Sequence, residues 1–599
     1  MDQDPPEPAS PVIWRDDGLP ASRLYGDVYF SSEDGLAETR AVFLHGCGLP
    51  QAWAERTRFT VAELGFGSGL NIAALLMLWA ETRPPGARLN IFSIEAHPMS
   101  ADDARRALSN WPEIAPAAEA LLAVWPGQAR GFHRCDLPAF GATLDVAVMD
   151  AGAALEQWTG AADAWFLDGF APAANPAMWS ETVMAQVAAR TAPRGRAATF
   201  TVAGSVRRGL AAAGFEVSKQ PGFGRKRERL EARYGGYAAP HTTPGSVAVI
   251  GAGIAGAAMA RALAEEGVSV RVFDPLGPAA AASGNAAALM TPRLDAGDGP
   301  PAGLFAQAFA RAKALYGRIP GAEASRGVLH LADSPRDDER FARIAGGGLF
   351  EPGEMSAGPE GLEMTRAMVL SPSTIVTAWI GAVETVAVEA LRQDDDGGWA
   401  LLGRDGEVLM TAEAVVVSGG HLSGRLASGV NLQPVRGQAT LAEGAVLGSA
   451  VSFGGYAVPA PGGVLFGASH QRDDADTDLR PRDDLDNIER IAARLPDLAA
   501  DLATRTLTGR AAIRAASADH LPLAGAAPDQ PGLFLLTGLG GRGFCLAPLM
   551  AEHVASMIAN APSPLPARLA DAVDPGRFAR RAARRQSGQG GERAPGGAS

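Results

Sequence analysis

Two glycine-rich loops in this chain could each bind a nucleotide, and one acidic residue separates their chemistry. The first is Glu63-Leu-Gly-Phe-Gly-Ser-Gly69, with glycines Gly65, Gly67 and Gly69. The second is Gly251-Ala-Gly-Ile-Ala-Gly256, with Gly251, Gly253 and Gly256. Backbone N–H groups at a helix start attract anions, so such a loop can cradle a pyrophosphate. The Glu63 carboxylate opposes that use and suits a cationic ligand, a sulphonium such as S-adenosylmethionine. The second loop carries no acid and follows the apolar strand Val247–Ile250, the pattern of a dinucleotide site. A methyl-donor site followed by a flavin or nicotinamide site is the expectation.

Further residues stand at the offsets such sites need. Glu95 ends the next strand, 26 residues after Gly69, where an acid reaches ribose hydroxyls or caps a helix. Asp274 stands 18 residues after Gly256 in the equivalent place. The run Asp163-Ala-Trp-Phe-Leu-Asp-Gly-Phe170 puts Asp168 at the carboxyl edge of a sheet. There it can orient or deprotonate an amine, and Phe170 can stack on a base. A helix cap and a core ring are the plainer roles for the same pair. Ser283, Gly284 and Asn285 follow the second strand of the later unit. Gly541, Arg542 and Gly543 open its last helix, whose N-terminus would stabilise charge on a reduced flavin ring. These two features favour flavin over nicotinamide.

The positioning elements follow from pattern. Apolar strands alternate with helices at Ala41–Leu44, Phe59–Glu63, Asn71–Ala80, Leu89–Glu95 and Ala101–Leu108, the rhythm of a doubly wound α/β sheet. The expected organisation is a flexible arm over 1–20, a Rossmann-like unit over 21–235 and a linker over 236–245. A second Rossmann-type unit with an inserted α+β substrate portion covers 246–562, and an Arg/Gly-rich tail without order covers 563–599. A chain of 599 residues exceeds one core, and its hydrophobic runs fall short of the roughly 18–20 residues that span a bilayer. The acidic, proline-rich start has no signal-peptide pattern, so a cytoplasmic protein is expected. Cys47, Cys135 and Cys545 lie far apart, which disfavours disulfides and a metal site. The net charge of −13 argues against nucleic acid, but Gly204–Arg233 holds eight basic residues against three acids.

Phe43-Leu-His-Gly-Cys-Gly-Leu49, Glu63–Asn71, Asp163–Pro172 and Gly222-Phe-Gly-Arg-Lys-Arg-Glu228 follow one another in the order of a known family. So do Ala281-Ala-Ser-Gly-Asn285, Pro434-Val-Arg-Gly-Gln438, Phe466-Gly-Ala-Ser469, Arg514-Ala-Ala-Ser-Ala-Asp-His-Leu-Pro522 and Ala547–Glu552. The chain resembles the MnmC family of bifunctional tRNA wobble-uridine modification enzymes. Its second half resembles more broadly the glycine oxidase and D-amino-acid oxidase (DAO) superfamily. The resemblance implies that an FAD-dependent unit removes the carboxymethyl group of 5-carboxymethylaminomethyl-(2-thio)uridine. It implies that an S-adenosylmethionine-dependent unit then methylates the exposed amine.

By the same resemblance, Asp150 aligns with an acid near the adenine. Arg514 is expected to bind the substrate carboxylate as a cationic fork, with Arg542 beside the flavin. His470 and His520 are read as structural. Where the family has Asn-Arg-Gln-Gly, this chain has Asn285-Ala-Ala-Ala. The run Arg225, Lys226, Arg227 and Arg229 is a candidate for tRNA phosphates. No protein partner is implied. The alternative is a small-molecule amine oxidase fused to an amine N-methyltransferase; a tRNA-binding protein with one inactive site is a third reading.

Overall fold

The structure is a computed structural model that describes residues 10–224, 226–237, 244–467 and 469–590. It divides into two compact units, Met1–His241 with Ala561–Ala567, and Thr242–Asn560 with Arg568–Ser599.

The first unit is built on an eight-stranded sheet. From one edge to the other its strands are Gly131–Leu137, Ala142–Val148, Arg88–Glu95, Arg58–Leu64, Ala162–Leu167, Thr191–Thr199, Glu228–Tyr234 and Phe215–Pro221. The five strands from Ala142–Val148 to Thr191–Thr199 run parallel, and the others join antiparallel. Parallel strands buried on both faces read as continuous apolar runs. Val61 and Phe166 face one core, and Ala62, Leu64 and Trp165 face the other. Strand order reverses beside Arg58–Leu64, so its carboxyl end is the switch point where ligands bind in such sheets. Glu63, Glu95 and Asp168 all stand at that edge.

The second unit has a smaller sheet in the order Val383–Glu384, Val270–Phe273, Val247–Ile250, Ala414–Val417, Leu533–Thr537, Leu523–Ala526. All but the last strand are parallel. A ten-stranded sheet, largely antiparallel, spans Ala288–Ala516 in sequence and holds Leu507–Ala516 against Gln433–Glu443. This is the inserted portion expected from the sequence.

Three local expectations fail. Ala41–Leu44 is not a strand. Asp34 caps a helix at Gly35–Thr39 by accepting the Leu36 and Ala37 N–H groups, and Arg40–Leu44 continues it as a wide turn. A short apolar run carries no periodicity that separates the two states. The arm, where described, is ordered. Val12–Trp14 pairs with Pro20–Ser22, and the Trp14 indole donates to Asp103 at 2.8 Å beneath the Arg106 guanidinium. The tail also holds helices, Ala567–Val573 and Arg577–Gly590. Leu565, Leu569 and Val573 are fully buried, and Arg577 pairs with Asp519 at 2.7 Å. Composition concealed three buried apolar anchors and an ion pair to a residue 58 positions away. Residues 238–243 of the expected linker, and 1–9 and 591–599 at the ends, lie outside the described residues.

Candidate active sites

In the first unit the loop acid is an internal residue. Glu63 has no exposed surface; its carboxylate accepts the Asn71 amide at 3.0 Å and the Ser93 hydroxyl at 2.6 Å. Burial pushes its pKa well above the usual range, and those hydrogen bonds pull it back. Glu63 thus offers no surface to a ligand, and its neighbour Asn71 links it to the sheet edge. The same amide nitrogen donates to Asp168 at 2.7 Å, and the Gly169 N–H donates to the other Asp168 oxygen at 2.8 Å. Burial raises the Asp168 carboxyl to about 6 against the pull of these two donors. Asp168 is therefore poised to exchange a proton near neutrality, the property a general base needs.

Glu95 accepts the Gly67 N–H at 3.0 Å and the His97 N–H at 2.9 Å, so it holds the glycine loop in place. Gly65 and Gly69 flank that bond, and both have positive φ. Asp150 is exposed and caps the helix Ala151–Gln157 through the Gly152 N–H at 2.9 Å. Each carboxylate retains lone pairs for a ribose or an adenine amine. Phe170 is half-buried between two rings that the sequence reading missed, with centroids 4.9 Å from Tyr25 and 5.2 Å from Tyr29. Asp27, between those tyrosines, accepts the Ala171 N–H at 2.9 Å and ties them to the Asp168–Phe170 loop. The chain has only six tyrosines, and two of them four residues apart were the available signal.

The basic run is less free than its composition suggests. Lys226 pairs with Glu38 at 2.8 Å and lies over Phe200. Arg229 pairs with Glu231 at 2.6 Å and donates to the Pro221 carbonyl at 2.7 Å. Arg227 is exposed, and Arg225 lies outside the described residues.

The second unit encloses a cavity of about 780 Å³ that collects most of the expected flavin residues, Gly251, Gly253, Asp274, Ser283, Asn285, Gly541, Arg542 and Gly543, together with Arg514, expected to hold the substrate carboxylate. Gly256 lies one turn into the helix. A Cβ there would collide with the Gly251 carbonyl oxygen, so only glycine lets the helix start close against the strand. Asp274 accepts the Ala252 N–H at 2.8 Å, and Ser283 accepts the Ile254 N–H at 2.9 Å. Gly284 turns the chain between Ser283 and Asn285, whose side chain accepts from Arg510 at 2.9 Å. The start of the 17-residue helix Gly543–Ala559 faces the cavity, with Arg542 bonded to Thr291. A glycine cradle, the acid Asp274 and a helix N-terminus fit an FAD along this wall.

Arg514 lines the same cavity, its guanidinium beside Gly541. Its Nη2 donates to the Ser469 carbonyl at 2.6 Å, and its Nε is buried without a partner among the described residues. Gly437 makes room for it, since a Cβ there would occupy the guanidinium position. The neighbouring Arg436 is fully buried and paired with Asp483, so it braces the wall rather than facing the cavity. Tyr456, His330 and His470 also line the cavity and were not assigned to it from sequence. Burial lowers His330 to about 4 and lowers His470, so both imidazoles are neutral at pH 7.

No helix among the described residues is long and apolar enough to cross a membrane, and no described group of His, Cys, Asp and Glu could hold a metal ion.

Comparison with known proteins agrees with this division. Residues 112–234 match the family of S-adenosyl-L-methionine-dependent methyltransferases, and residues 246–557 match the FAD-dependent oxidoreductases. The tRNA 5-methylaminomethyl-2-thiouridine biosynthesis bifunctional protein MnmC of Caulobacter sp. (strain K31) is 57% identical, over 96% of this chain and 98% of its own length. Its counterpart from Caulobacter vibrioides is 55% identical over the same shares. A solved glycine oxidase from Geobacillus kaustophilus is 24% identical with a TM-score of 0.45, covering 53% of this chain and 96% of its own. FAD and S-adenosylmethionine are the cofactors of the two units. The chain belongs to the MnmC family of bifunctional proteins, joining a methyltransferase to an FAD-dependent oxidoreductase.

Proposed function

We propose that the two units act in sequence on one side chain of a tRNA wobble uridine, in the cytoplasm. The oxidase unit converts 5-carboxymethylaminomethyl-(2-thio)uridine to the 5-aminomethyl form. The methyltransferase unit then makes the 5-methylaminomethyl form. The order follows from the product: methylating the primary amine left by the oxidase gives the methylaminomethyl form directly, whereas methylating first would give a tertiary amine.

The observation that carries the reading is Arg514, a half-buried guanidinium that lines the same cavity as the glycine loops. A carboxymethyl amine has the carboxylate that this fork would hold. When bound, FAD would take a hydride equivalent from the carboxymethyl CH–NH unit, water would hydrolyse the resulting imine to the primary amine and glyoxylate, and S-adenosylmethionine would supply the methyl group. The residues do the rest. Arg514 orients the carboxylate; the neutral His330 and His470 add no competing charge. In the other unit Asp168 takes the proton that the amine loses on methylation, and Tyr25, Tyr29 and Phe170 offer ring faces to the base. Arg227 and Lys226 support contact with tRNA phosphates; unchanged tRNA affinity after alanine replacement of both removes that part.

The test is nucleoside mass spectrometry on tRNA carrying carboxymethylaminomethyluridine. Without S-adenosylmethionine the aminomethyl nucleoside accumulates; with it the methylaminomethyl nucleoside appears. Persistence of the starting nucleoside in both reactions sinks the oxidase assignment. Flavin reduction by glycine or sarcosine alone, with tRNA untouched, favours the small-molecule alternative.

A further inference from the structure

The methyl-transfer edge contains one amide whose every hydrogen-bonding group is used. Asn71 is the second residue of the helix Leu70–Thr82 and is 8% exposed. Its Nδ2 donates to Glu63 at 3.0 Å and to Asp168 at 2.7 Å, while its Oδ1 accepts the Thr39 hydroxyl at 2.7 Å. An amide nitrogen has two hydrogens, and here each has a carboxylate. Turning the amide over would set its oxygen against two acids, so the orientation is fixed by the partners. Thr39 is 3% exposed and comes from the separate helix Gly35–Thr39.

We propose that Asn71 is the positioning residue of methyl transfer, holding Asp168 ionised and correctly turned at the sheet edge and coupling it to the loop acid beneath the methyl-donor site. The proposal rests on the reading of Asp168 as the acid that serves the amine. A donor aimed at a carboxylate favours its charged form, whereas burial and neighbouring acids disfavour it. The charged groups facing Asp168 are Glu38 from the same helix as Thr39, Glu63 behind Asn71, and Lys226 from the turn before Glu228–Tyr234. Lys226 is itself paired with Glu38, so Asn71 is the nearest donor that offsets the two acids. Without the amide, Glu63 and Asp168 face each other with no hydrogen between them. The proton then stays on Asp168 to higher pH.

The experiment measures methyl transfer to tRNA carrying 5-aminomethyluridine across pH 5.5–9 in the full-length chain. In Asn71→Ala the acid limb of kcat moves up by about one pH unit. The rate is about threefold low near pH 6.5, about eightfold low at pH 5.5, and approaches wild type by pH 8.5. Thr39→Val leaves the amide in place but unanchored and moves the limb the same way by less, which keeps the test available should the alanine variant not fold. In the Asp168→Asn background, Asn71→Ala costs nothing further. Oxidase turnover by the same preparations stays at the wild-type level. If wild type itself transfers no methyl, the reading of the unit fails. If wild type is active but the loss is the same at every pH, or adds in full to Asp168→Asn, Asn71 is merely structural and the inference is wrong.

Discussion

Arg514→Ala is the perturbation that weighs most on the oxidase assignment. The guanidinium is half-buried, has one amine committed to the Ser469 carbonyl at 2.6 Å, and carries a buried Nε with no partner among the described residues. Burial lowers its pKa, yet an arginine starts so high that it stays charged throughout the working range. A substrate carboxylate that meets this group gains charge-assisted hydrogen bonds of about 1.5–3 kcal/mol each. One such bond plus partial charge pairing in an open cavity comes to about 3 kcal/mol. At 1.36 kcal/mol per decade, alanine lowers kcat/KM by about two orders of magnitude. Arg514→Lys keeps the charge without the fork and loses about tenfold. The assay is anaerobic flavin reduction with carboxymethylaminomethyl tRNA, with product nucleosides counted by mass spectrometry. Methyl transfer to preformed aminomethyl tRNA serves as the control. If the alanine variant reduces flavin within threefold of wild type, or loses methyl transfer equally, Arg514 does not hold the carboxylate.

Three further outcomes follow from the geometry. Gly256→Ala drives a Cβ into the Gly251 carbonyl, so the purified chain loses its flavin absorbance while methyl transfer persists; a yellow variant with normal turnover would refute the close-approach argument. Asp168 carries a carboxyl raised to about 6, so the base form is present above that pH and methyl transfer falls tenfold per unit below it. Asp168→Asn slows transfer by about 10²–10⁴ and abolishes that limb, and an unchanged limb in the variant would assign the titration to the substrate amine instead. Asp519 is held below the usual carboxylate range, the hydrogen bonds from Arg577 and Arg581 outweighing burial. Its stabilising contribution is present above the unfolded carboxylate pKa and is lost as pH falls through the lower folded value. Asp519→Ala strips a partner from Arg577, itself 2% exposed, and should cost about 3 kcal/mol in urea unfolding at pH 7; a cost below about 1 kcal/mol would show the tail helix to be dispensable.

What could be read from the chain was whatever depends on local order. The glycine loops, the acids at Glu95 and Asp274 and the helix at Gly543 are set by offsets inside one βαβ unit, so spacing alone locates them. Asn71 stood in the motif, but its partner Asp168 is 97 residues away, and no local pattern announces such a bond. Tyr25 and Tyr29 were passed over because the preceding segment looked like a loose arm, yet Asp27 clips them to Ala171. A count of charges along Arg225–Arg229 does not show that Lys226 is paired with Glu38 and Arg229 with Glu231. The tail failed for the same reason: three buried apolar residues weigh little in a composition dominated by arginine and glycine.

The contrast between the two loops survives, on a different physical basis. Both sites use the same clamp. The acid at the end of the second strand takes a loop N–H and the N–H of its own turn, Gly67 and His97 for Glu95, Ala252 and Leu276 for Asp274. The acids expected to reach ribose therefore first shape the loops. What separates the sites lies one layer deeper. Under the second loop the strand ends in apolar Ile250, and the helix start is capped by the Ser283 hydroxyl. Under the first loop lies Glu63, sealed from solvent, with its charge disfavoured by burial and its oxygens tied to Ser93 and Asn71. With that charge disfavoured, Glu63 acts there as an acceptor that anchors the edge and not as a field on the ligand. Through Asn71 it also links the methyl-donor side of the edge to Asp168 on the amine side. A residue that looked like a counter-ion for the ligand is better understood as the root of the network that sets the base.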